Sequence, residues 1–238
     1  MNQPSCKTFR NANGDESLFV PPGIDVAAIP EPFQSLVDER YRECLTDPAS
    51  YIAKLADSVK LDSLQRWLRA MCDDGRFGLT VHRAEFSGRV QAEVTICGVV
   101  GKVKRQRNFR LPTGGGADLL PYPLSEVYRA TDGILESHDA LLTSQFVRSR
   151  DLDFNAGSFD LVDDESPFEL ADTLAFYRTD TGDYLLAEGR RRKAEGSKVF
   201  SFCHEDGAFC EIGSLLEVID SYFESDLNNR RWNAIDRS

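Results

Sequence analysis

The chain has no apolar run approaching the roughly 18–20 residues that a membrane span needs. It also has only three histidines, two tryptophans and two methionines in 238 residues. It holds no G-x-S-x-G, no Walker loop, no H-E-x-x-H and no G-x-G-x-x-G, so no familiar hydrolase, nucleotide or zinc-protease signature is present. None of the six cysteines (Cys6, Cys44, Cys72, Cys97, Cys203, Cys210) forms a C-x-x-C pair. Most sit at apolar or periodic positions, where a free thiol acts as a small hydrophobe. A disulfide framework usually belongs to a shorter, secreted chain. Met1–Arg10 lacks an apolar leader stretch, so the expected address is the cytoplasm.

Positive charge is also scarce. The chain carries 28 Lys/Arg against 39 Asp/Glu, a net charge of −11, which excludes a global basic field for nucleic acid. With 41% hydrophobic residues there is enough apolar content for a core. The charge divides sharply: residues 1–111 carry +2 and residues 112–238 carry −13. The two halves therefore differ in kind.

Periodicity gives an α+β chain. Residues 1–32 are polar, then rich in proline, and read as an irregular arm. Residues 33–111 read as helices followed by an antiparallel meander. Helical spacing starts at Phe33 and runs through Leu36, Val37, Tyr41 and Cys44. Asp47 caps a second helix with Pro48 at its first position. Asp62 and Gln65 resemble a capping box before Leu64, Trp67, Leu68 and Met71. From Phe77 the period changes to two, and three strands end near Arg110. Leu111-Pro112-Thr113-Gly114-Gly115-Gly116-Ala117 reads as a connector and a boundary. The triple glycine lacks the Lys-Ser/Thr of a phosphate loop.

Beyond the connector, Pro123 opens a short helix that Asp132-Gly133 ends. Residues 134–150 are ambiguous, with helical spacing from Leu141 to Val147. Thr173–Tyr177 and Tyr184–Ala187 read as a hairpin around Asp180-Thr181-Gly182-Asp183, with Gly182 free to take positive φ. A strand over Lys198–Cys203 follows. Ser214 and Glu217 form a capping box for a last helix through Phe223. Residues 225–238 read as a tail.

Three clusters carry candidate chemistry. Cys203, His204, Glu205, Asp206 and Cys210 have zinc-ligand side chains, but adjacent Cys203 and His204 point to opposite faces of a strand. A strand end with a turn is the simpler reading, and no metal or cofactor is expected. Lys102, Lys104, Arg105, Arg107 and Arg110 could track phosphates. Only Phe109 is interleaved, however, so the simpler reading is a solvated strand that resists edge pairing. The acidic tract from Asp132 to Asp172 includes Asp151, Asp153, Asp160, Asp163, Asp164, Glu165 and Glu169, opposed only by Arg148 and Arg150. It is either a solubilising surface or a patch that steers a basic partner. Carboxylate clusters also take Mg²⁺ or Ca²⁺, but no EF-hand loop is present.

Leu120-Pro121-x-x-Leu124-x-x-Val127-Tyr128-x-x-x-Asp132-Gly133 resembles the opening motif of the SUKH superfamily. That superfamily includes the yeast Smi/Knr cell-wall regulator and many bacterial immunity proteins. Leu174-Ala175-Phe176-x-x-x-Asp180-Thr181-Gly182-Asp183-Tyr184-Leu185-Leu186 is similar to its central hairpin. The resemblance covers residues 118–224. Asp132 departs from the Asn common before the glycine, and the loop Gly189–Ser197 is longer and more charged than the pattern. Leu120, Pro121, Tyr128, Gly133, Gly182 and Asp183 are the fold-bearing positions. What the resemblance implies is a SUKH-like antiparallel sheet flanked by helices and a non-enzymatic binding domain. Its partner would be a cognate, basic protein toxin, met by the acidic tract. A regulator or scaffold of the Smi/Knr kind, touching another protein or RNA through Lys102–Arg110, is the second reading. Nucleic acid and membrane are otherwise not expected as partners.

Overall fold

The computed structural model describes residues 5–10, 16–31, 33–73, 77–86, 89–99, 106–112, 117–135, 140–141, 173–179, 181–188, 196–203 and 205–235. The architecture is α+β, and the chain divides into two compact units. One holds Met1–Leu111 and Leu227–Ser238, the other Pro112–Asp226.

In the first unit the helices begin where side chains can take up orphan amides. Asp38 accepts from the backbone N–H of Arg40 and Tyr41 and opens α1 (Glu39–Thr46). The helix expected from Phe33 therefore starts six residues later. Gln34–Leu36 is a 3-10 turn instead. Asp47 closes α1 and opens α2 (Pro48–Ser58), accepting from the Ser50 N–H at 3.1 Å and its hydroxyl at 2.6 Å. In α3 (Asp62–Asp73) the expected capping box does not form. The Asp62 carboxylate takes the Arg66 guanidinium, and the Gln65 amide donates to the Ala56 carbonyl at the end of α2. That exchange satisfies a helix-terminal acceptor that would otherwise be left over.

The arm expected over residues 1–32 is corrected by two strands, β1 (Lys7–Arg10) and β2 (Glu16–Val20). They extend the meander β3 (Phe77–Phe86), β4 (Arg89–Val99) and β5 (Gln106–Arg110), each antiparallel to the next. Leu18 faces Val81 and Val20 faces Leu79 across the β2–β3 register, and all four are buried. Helices α1 and α2 touch β3, so these strands share a core with Ile52, Ala56, Leu64, Trp67, Leu68 and Met71. Each of the buried leucine, isoleucine and methionine side chains contributes about 1.5–3 kcal/mol by leaving water.

The second unit opens with a 3-10 turn (Ala117–Leu119) and, after a cis Tyr122–Pro123 peptide, α4 (Leu124–Ala130). Six strands follow, each antiparallel to the next. They are β6 (Ile134–Leu135), β7 (Ala140–Leu141), β8 (Thr173–Arg178), β9 (Tyr184–Glu188), β10 (Lys198–Phe202) and β11 (Phe209–Ser214). Leu141, expected in a helix, instead pairs with Ile134 and Tyr177. The last helix, α5, runs Leu215–Ile235, so the tail expected from residue 225 is largely helix. Leu215, Ile219 and Phe223 on α5 are buried, as are Leu174, Phe176, Leu186, Val199 and Phe202 on the sheet.

Candidate functional site

The residues from Leu120 to Gly133 are mostly structural in their surroundings. Leu120, Pro121 and Tyr128 are buried, and Gly133 has a φ of 104°. Burial, and after it the neighbouring Asp132, pushes the Tyr128 hydroxyl well above its ordinary pKa, so it stays protonated. Arg129 bridges the 3-10 turn and α4, bonding Asp118 at 2.6 Å and the buried Glu126 carboxylate. These groups hold the entry into the sheet in place.

Thr179 and Asp183 close the β8–β9 hairpin. The Thr179 N–H donates to the Asp183 carbonyl at 2.9 Å, and the Thr179 hydroxyl accepts from the Asp183 N–H at 3.0 Å. The Asp183 carboxylate also bonds within the turn, accepting the Thr181 hydroxyl at 3.0 Å. Gly182 has a φ of 100°, a conformation that side chains with a Cβ rarely adopt.

Across the four strands that follow, one row of side chains shares a face. Arg178 is opposite Tyr184, Tyr184 opposite Phe202, and Phe202 opposite Phe209. The Arg178 guanidinium lies 6.0 Å from the Tyr184 ring centroid, and the Phe202 and Phe209 rings lie 5.1 Å apart. The row passes from an exposed cation through the buried Phe202 to the half-buried Phe209 on β11.

Strand β11 pairs with β10 on one side and with no other described strand on the other. Its register shifts between Val199 and Phe200, which face Gly213 and Glu211, so Ile212 is the extra residue of a bulge. Cys210, Glu211 and Ile212 are exposed, Ile212 at 44%. Gly213 has a φ of 143°, and a Cβ there would meet the Glu217 carboxylate at 3.3 Å. That carboxylate accepts from the Ser214 N–H at 2.9 Å, while the Glu217 N–H donates to the Ser214 hydroxyl at 3.3 Å. These reciprocal bonds form the capping box expected from the sequence. Bonding to the Ser214 N–H, then to its hydroxyl, holds the Glu217 carboxyl below its ordinary pKa.

At the other end of the β10–β11 hairpin, the Cys203 N–H donates to the Ala208 carbonyl at 3.0 Å, and the Asp206 carboxylate accepts from the Ala208 N–H at 3.0 Å. That bond first, and the Cys203 thiol second, lower the Asp206 pKa. Cys203 and Cys210 are free thiols, as are Cys6, Cys44 and Cys72. Among the described residues no three His, Cys, Asp or Glu side chains come together to hold a metal ion.

The acidic residues singled out by sequence, Asp151, Asp153, Asp160, Asp163, Asp164, Glu165 and Glu169, lie outside the described residues, as do Asp180, His204, the triple glycine, Lys102, Lys104, Arg105 and the Arg190–Lys193 cluster. Arg107 and Arg110 lie in β5, opposite Gly98 and Thr95. The open side of β11 was not legible in advance. Its signal, the alternation Phe209-Cys210-Glu211-Ile212, is short and broken by the bulge. Among the described residues no helix is long and apolar enough to cross a membrane. Comparison with known protein families, with curated proteins and with solved structures found no match.

Proposed function

We propose that this chain is a non-enzymatic binding protein of the SUKH kind, acting in the cytoplasm as an immunity protein. It neutralises a cognate basic toxin by stoichiometric occlusion, with no metal or cofactor involved. The observation that carries the reading is the order of elements in residues 112–226. The Leu120–Gly133 motif sits on α4 and the turn after it. The Leu174–Leu186 motif forms a hairpin with its glycine at the turn, and a capped helix closes the unit. The resemblance puts its elements in this order. The motif residues themselves build the fold, so the binding reading rests on the order of the elements and on the charge of the unit. The acidic tract 151–172 supplies the steering charge for a basic partner.

The test is co-expression with the toxin encoded beside it, scored by cell survival and by a stoichiometric complex on gel filtration. The substitutions D163K, E165K and D164K together should slow association and flatten its dependence on ionic strength. A triple variant that binds with wild-type kinetics at every salt concentration removes the acidic tract from the interface. Absence of any complex with the toxin removes the immunity reading itself.

A further inference from the structure

Among the described residues, strand β11 presents backbone and side chains together on a side where no strand pairs with it. The Cys203–Ala208 bond sets the alternation of the β10–β11 ladder, so Cys210 points its backbone toward β10 and Glu211 points its own away. Cys210, Glu211 and Ile212 are exposed in succession on a strand with one described partner. An outward amide and carbonyl beside an exposed Ile212 side chain are what an added strand uses.

Charge decides what the added strand is. Glu205, Asp206, Glu211 and Glu217 are exposed on and around the hairpin. Lys198 is the one cation among the hairpin's described residues, and its ammonium bonds Glu211 at 2.7 Å. A second copy pairing antiparallel through the centre of the same strand would bring Glu211 against Glu211, which like charge disfavours. An extended basic segment meets complementary charge, and an apolar side chain on it would continue the Arg178–Tyr184–Phe202–Phe209 row past Phe209.

We propose that β11 is a docking strand that binds an extended segment of alternating apolar and basic residues by strand addition. This deepens the binding reading above, on which it rests for its biological partner, and places the contact on β11 without using the acidic tract.

The test uses the intact protein and a capped peptide of about ten alternating valines and lysines, long enough to span the six residues of β11. Amide resonances of Cys210, Glu211 and Ile212 should shift on titration. The same peptide N-methylated on alternate residues keeps its charge but loses donors along one edge. It should bind roughly tenfold more weakly, the scale of losing a few backbone hydrogen bonds. An alternating valine–glutamate peptide should not bind. Equal affinity for the methylated peptide would mean charge alone, and shifts confined to residues away from β11 would place the contact elsewhere. Either result overturns the proposal. So does a concentration-dependent dimer whose β11 amides are protected, which would make a second copy the occupant. Peptide binding without toxin neutralisation sinks the immunity reading and leaves the docking strand standing. Toxin neutralisation without peptide binding does the reverse.

Discussion

The Phe202–Phe209 pair lets the cross-strand row be measured. Phe202 is 1% exposed, whereas Phe209 is half-buried at the end of the row. Truncating Phe202 to alanine should cost about 3–5 kcal/mol, the range for deleting a fully buried aromatic ring and leaving a cavity. Truncating Phe209 should cost about 1 kcal/mol, since only part of its apolar surface leaves water. With the rings 5.1 Å apart and tilted by 42°, their contact should add a coupling of about 0.5–1.5 kcal/mol. The double variant F202A/F209A should therefore lose less than the sum of the singles by that amount. The chain has two compact units, so unfolding in urea is best followed through amide signals of β9 and β10 rather than a global probe. Additivity within about 0.3 kcal/mol would refute the row as an energetic unit. A Phe209 variant as costly as the Phe202 variant would show that β11 is covered rather than open.

Other perturbations follow the same logic. Burial pulls the Asp38 carboxyl upward, but its bonds to Arg40 and to the Arg40 and Tyr41 amides outweigh burial and leave its pKa below the ordinary 3.8. Its stabilisation of α1 is thus fully present above that ordinary value and lost as pH falls through the lower folded value. D38N should remove this part of the acid sensitivity, read from exchange of the α1 amides between pH 5 and 2, a window of about three units around it. Desolvation, with a smaller push from Glu43, raises the Cys44 thiol to about 12. Iodoacetamide at neutral pH should modify exposed Cys210 first and Cys44 only after unfolding, as peptide mapping would show. G182A forces a Cβ into a turn at φ 100° and should cost about 1–2 kcal/mol in thermal unfolding, with rapid exchange at Thr179 and Asp183.

What could be read from sequence was what local chemistry decides. Asp47-Pro48 names a helix start because cap and ring both suit the first turn, and Ser214 with Glu217 does so by reciprocal bonding. The β8–β9 hairpin was visible because Gly182 marks its turn. Strands β1 and β2 were not visible, since each is too short to show a period alone and their hairpin joins the sheet only at Leu79–Arg83, some sixty residues later. The capping role expected of Asp62 failed for a tertiary reason, with Gln65 drawn to the Ala56 carbonyl. Of the candidate site, the charge excess could be read but its placement could not. The docking strand was hidden because Ile212 interrupts the alternation that would have announced it.

Helix α5 has a consequence for synthesis. From Leu227 onward its residues group with Met1–Leu111, so the first unit to leave the ribosome is the last to be completed. Its sheet strands and α1–α3 emerge early, yet the segment that completes it is translated after the entire second unit. A nascent chain stalled before Leu227 should hold a second unit that lacks none of its own residues beside a first unit still short of its closing segment. Protease resistance of the first unit should then arrive only once the residues from Leu227 onward have emerged, later than either sheet.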